Sequence, residues 1–111
     1  MGDKALSLLG IARRAGKLSV GFEAVSDSIK RKKARLVLIA SDISPKTEKE
    51  LVYISQTSSI KVIRTSYDIN TLSNAIGARA GTVSVNDSNF ADAVLESIAQ
   101  ARKSEGEFNI C

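Results

Sequence analysis

Two short stretches hold residue types suited to gripping a polyanion. The first, Lys17-Leu18-Ser19-Val20-Gly21-Phe22-Glu23, reads as a strand running straight into a helix start. A helix N-terminus presents unpaired N–H groups and the positive end of a dipole, which suit a phosphate. Gly21 lets another backbone come close with no side chain in the way. The second stretch, Ile76-Gly77-Ala78-Arg79-Ala80-Gly81, surrounds one cation with small residues. Small side chains there admit an extruded base, and Arg79 is placed to stack on it or to pair with phosphate. The same residues also fit plain structural duties: Gly21 as a helix cap, Phe22 as a hydrophobic staple, Arg79 as a lone surface charge.

Material for catalysis is scarce. The sequence has no histidine, which removes the usual general base and the commonest metal ligand. Cys111 stands alone and cannot build a thiolate metal site or an internal disulfide. No P-loop or dinucleotide fingerprint occurs. Gly77 and Gly81 form a G-x-x-x-G, but at a helix end it reads as a cap and a turn. Asp42, Glu48 and Glu50 look like a loop acid and a solvated helix face. No catalytic centre, metal or cofactor is expected. Nothing in residues 1–20 forms a long apolar signal segment, and the longest apolar run, Leu36 to Ala40, is far below a membrane span. A cytoplasmic protein is expected.

The elements that must position these stretches follow from spacing. Ala5, Leu8, Leu9 and Ala12 make a helix of Lys4 to Ala15, closed by Gly16. Leu18 to Val20 is a short strand. Gly21 opens a second helix running to about Lys33, with Val25 and Ile29 inward. Arg35 to Ala40 is a strand covered on both faces. Ser44 and Pro45 start a third helix with Leu51, Ile54 and Ser55 inward. Ile60 to Thr65 is a strand. Asp68 caps a fourth helix that ends at Gly77. Thr82 to Val85 is the last strand, and Ser88 opens the last helix. Helices alternating with four strands predict an α/β three-layer α/β/α sandwich on a four-stranded mixed sheet. One domain is expected over residues 1–103. Residues 104–111 lack apolar spacing and read as a loose tail.

The net charge of +4 is unevenly spread. Residues 1–35 hold nine Lys/Arg against three Asp/Glu, whereas residues 67–111 hold three against six. Such asymmetry marks a nucleic-acid or membrane-surface face. Arg13, Arg14 and the run Lys30, Arg31, Lys32, Lys33 supply most of it.

Arg14-Ala15-Gly16-Lys17-Leu18, then Gly21, then Lys33 through Asp42, then Ile76 through Gly81 resemble the kink-turn RNA-binding ribosomal protein superfamily. The likeness is greatest to its small bacterial branch, the YlxQ-type ribosomal-protein-like group, and spans about Ala5 to Arg102. The resemblance implies a sandwich that binds sharply bent RNA. The start of the second helix would enter the groove at the bend, here Gly21, Phe22, Glu23 and Ala24. The loop before the last strand would hold an extruded nucleotide, here Ala78, Arg79 and Ala80. Asp42 and Ile43 would lie in the neighbouring loop.

The chain differs from the usual Gly-x-Asn-Glu-x-x-Lys pattern of such proteins. Glu23 and Ala24 replace the Asn-Glu pair, and Asp27 replaces the lysine. An Asn amide donates to a base edge, whereas an ionised Glu only accepts. The expected function is non-enzymatic binding of structured RNA, with ribosomal RNA a candidate partner, by a monomer. Lys17 joins the site, and Arg13, Arg14 and Lys30 to Lys33 support it. A protein-interaction module on the same fold is the alternative.

Overall fold

The computed structural model describes residues 3–110, with side-chain surroundings for residues 3–100. The elements in order are α1 (Lys4–Arg14), β1 (Leu18–Val20), α2 (Phe22–Lys30), β2 (Leu36–Ile39), α3 (Pro45–Gln56), β3 (Lys61–Arg64), α4 (Ile69–Ile76), β4 (Thr82–Val85) and α5 (Ser88–Ile110). The strands form one mixed sheet in the order β1-β4-β2-β3. Central β4 is antiparallel to both neighbours, and β2 and β3 are parallel.

Strand alternation divides the core. Leu36 and Leu38 pack with α1, α4 and α5, alongside Leu9, Leu72, Val83, Val85 and Val94. Val37 and Ile39 pack on the other face with Val25, Ile29 and Leu51 from α2 and α3. The expected α/β/α sandwich is what the sequence builds. In β4 the intervening Ser84 is fully buried, and its hydroxyl meets Asn86 Oδ1 at 2.9 Å. A slip of one residue would turn Ser84 into the apolar core without that partner, costing about 1–3 kcal/mol, so the polar pair helps to fix register.

Two boundaries differ from the sequence reading. Helix α2 stops at Lys30 rather than Lys33, because Lys32 adopts a left-handed φ of 62°. The N–H groups of Lys33 and Ala34 then both donate to the Ser28 carbonyl, turning the chain into β2. Helix α5 runs to Ile110, so residues 104–110, read as a loose tail, are helical, and residue 111 lies outside the described residues. Apolar spacing ends there, but Ala101, Arg102, Lys103, Glu105 and Glu107 are all residue types of good intrinsic helix propensity.

Candidate nucleic-acid interface

Strand directions decide which segments meet. Strands β1, β2 and β3 all finish at the end of the sheet where β4 begins, so α2, α3 and α4 all start there. Backbone bonds stitch the junctions together. Gly21 N–H donates to the Thr82 carbonyl at 2.9 Å, and Ala40 N–H donates to the Gly81 carbonyl at 2.9 Å. The loop ending in Gly81 therefore lies between the start of α2 and the end of β2.

Helix α2 differs from its neighbours at this end. Asp3, Ser44 and Asp68 each accept a backbone N–H with a side-chain oxygen at the starts of α1, α3 and α4. Gly21 has no side chain to do so. Its φ of 94° and ψ of 158° lie where residues with a Cβ are strained. The first N–H groups of α2 thus have no capping side chain, and a ligand acceptor is a natural substitute. Phe22 is half-buried against the α2/α3 core, and Glu23 and Ala24 are exposed.

The loop before β4 is braced from α4. The Ser73 hydroxyl accepts from the Ala80 N–H at 3.0 Å and meets the Ala80 carbonyl at 3.2 Å. Ala80 is buried in the core, so its part in any contact is to shape the loop. Ala78 is half-buried, while Arg79 is exposed and donates to Asn70 Oδ1 at 2.8 Å. Asp42 accepts the Ile69 N–H at 2.9 Å, tying the β2–α3 loop to the start of α4. Ile43 is half-buried and reaches toward Gly81, giving that loop an apolar neighbour. Nearby Tyr67 donates to both Asp3 carboxylate oxygens at 2.8 Å. Burial raises the proton affinity of the Tyr67 phenol, and the Asp3 hydrogen bond and charge raise it further, so it stays a neutral donor.

Gly21, Phe22, Glu23, Asp42, Ile43, Ala78, Arg79 and Ala80 are thus gathered at one end. Lys17 is not. It sits at the opposite end of β1, where its carbonyl accepts the Asn86 N–H at 2.8 Å. The three residues of β1 lie between it and Gly21, four steps of chain or roughly 13 Å. Lys32 and Lys33 accompany Lys17 beside a cleft that also takes in Arg35 and the exposed Ala24. Arg31 pairs with Asp27 at 3.1 Å, and Lys30 lines an adjoining cleft against the end of α3, which shares Lys32 with the first. Arg13 donates to the Ile76 carbonyl at 2.9 Å, capping the end of α4, and Arg14 lines an α1–α4 groove on the other face of the sheet. Sequence reasoning passed over Ser73 and Asn70, because polar residues in a helix read as solvated. It also left out Arg35, and buried Ser84 within Thr82–Val85 was the available sign of a polar network.

Residues 3–95 match the model of the ribosomal protein L7Ae/L30e/S12e/Gadd45 family. Large ribosomal subunit protein eL30 of Candida glabrata is 30% identical over 82% of this chain and 88% of its own length. The RNA-binding protein YlxQ of Enterococcus faecium is 43% identical over 44% of this chain, and the match spans 48% of that protein, about half its length. Among solved structures, a protein of unknown function from Bacillus halodurans C superposes with a TM-score of 0.83 at 30% identity, covering 88% of this chain and 99% of that one. The 15.5kD RNA binding protein of Giardia lamblia shares the fold, with a TM-score of 0.73 at 18% identity, covering 90% of this chain and 86% of its own. The chain belongs to the ribosomal protein L7Ae/L30e/S12e/Gadd45 family.

Proposed function

We propose that this protein binds structured RNA without catalysing a reaction, and that the RNA is sharply bent in the manner of a kink-turn. The observation that carries the reading is the side-chain-free start of α2 beside the Arg79 loop at one end of the sheet. Phosphate oxygens accept from the first N–H groups of α2. The carboxylate of Glu23 accepts from an amino group on a base edge. An extruded nucleotide rests against Ala78 and Ile43, with Arg79 released from Asn70 to stack or pair. The names of the Enterococcus and Giardia relatives support RNA as the partner class. On this reading ribosomal RNA is the first candidate, met by a monomer in the cytoplasm.

A gel-shift titration of a kink-turn hairpin RNA at low salt tests the site. Arg79→Ala is expected to weaken binding about tenfold, the loss of one charge-assisted contact. The fold should stay intact, because the described bond of Arg79 is to an exposed side chain. Unchanged affinity would remove Arg79 from the interface. Affinity should also fall steeply with salt, as neutralised phosphates release counterions.

A further inference from the structure

The cations that the fold separates from the Gly21 end form a place of their own. Lys17, Lys32, Lys33 and Arg35 surround a cleft of about 510 Å³ between the flank of α2 and edge strand β1. The single carboxylate among its described lining residues, Asp27, already pairs with Arg31. The floor is polar. Asn86 Nδ2 donates to Ser19 Oγ at 2.9 Å, and the hydroxyls of Ser19 and Ser28 share a hydrogen bond. Among the described residues, the exposed large apolar side chains Ile11, Val52 and Tyr53 do not line this cleft, although Tyr53 lines the adjoining one that shares Lys32, so the cleft itself lacks the apolar anchor a protein partner uses.

Lys32 is the telling residue. Its φ is 62°, the left-handed region, just past the end of α2. Gly16 and Gly77 hold the same kind of position, each at φ 74°, after α1 and α4, and Ser59, a small polar residue, holds one at φ 55° after α3. Glycine meets this geometry without strain, whereas a lysine costs stability. Keeping a lysine there is understandable if its side chain has work in the cleft.

We infer that this cleft is a second phosphate site, which takes the sugar–phosphate backbone of the same RNA after it leaves the Gly21 end. The inference rests on the RNA-binding reading above. Helix α2 has nine residues, roughly 13 Å of path between the two sites. Ala24, exposed on the helix between them, lines the cleft with no bulk or charge. A bound RNA then runs along the α2 flank, and its affinity depends on the stem as well as on the bend.

The test is a fluorescence titration across a salt series, using the kink-turn hairpin with each stem extended to about one full turn of A-form duplex. The parent is compared with a Lys32→Gly/Lys33→Ala variant and with Lys49→Ala/Lys61→Ala, which removes equal charge from exposed positions outside the cleft. The cleft variant is expected to lower the magnitude of the log–log salt slope by about two, roughly 0.9 per lost phosphate contact. The control pair should leave the slope close to the parent's. Thermal melting should show the cleft variant no less stable, since glycine relieves the backbone at position 32. A parent slope retained by the cleft variant, or an equal fall in the control, overturns the second site while the Gly21 end stands. A parent that binds no RNA overturns both.

Discussion

Asp68 shows how a single side chain at the interface end serves the fold rather than the ligand. Its carboxylate accepts the Thr71 N–H at 2.7 Å and so caps α4. That backbone bond, and then a bond with the Thr71 side chain, lower the carboxyl's proton affinity below its ordinary value. A group whose folded value is lowered stabilises the protein above its unfolded value, and that contribution is lost as pH falls through the folded one. Acidification from about pH 5 to about pH 3 should therefore lower the melting temperature of the parent more than that of Asp68→Asn, which keeps a capping oxygen without the titration. Equal acid limbs in the two melting profiles would contradict this role. Caps of this kind were readable from the sequence, because Ser44 before Pro45 and Asp68 before an apolar stripe have local causes. Ser73 and Asn70 were not, because each acts on a loop whose path depends on the whole sheet.

At the scale of elements, the approach of α1 to α4 sets the tilt of the helix that braces the Arg79 loop. Gly10 permits it. A Cβ built there would lie 2.9 Å from the Ala75 carbonyl oxygen, a backbone atom with no flexible end to move. Alanine gains up to about 1 kcal/mol of helix propensity over glycine. Overpacking against backbone costs roughly 1–3 kcal/mol, so Gly10→Ala is expected to destabilise on balance. Urea denaturation reads the sign, and a raised midpoint would refute the close contact. Four strands and five helices could be placed from periodicity and caps, since those are properties of neighbouring residues. The end of α2 could not. Lys30 to Lys33 is a good helical run, and the turn at Lys32 is imposed by the need to enter β2 at Leu36.

For the whole molecule, the mixed sheet is what makes an interface. Because β4 runs against β1 and β2, the Gly21 junction and the loop from Gly77 to Gly81 arrive at one end, although some sixty residues separate them in sequence. The same topology carries Lys17 to the far end. Sequence reasoning put Lys17 and Gly21 in one cradle because they are close along the chain, but a strand between two residues holds them apart. The chain's positive charge is accordingly divided among the α2 flank, the α1–α4 face and the end of α3 rather than spread over one surface.

The central claim, that bent RNA seats on the start of α2 and the Arg79 loop, is tested most directly by following backbone amide NMR signals as a kink-turn hairpin RNA is added. The largest shifts are expected at residues 21–24, 41–43 and 78–81. Shifts centred instead on the α1–α4 groove, with those three segments unmoved, would contradict it.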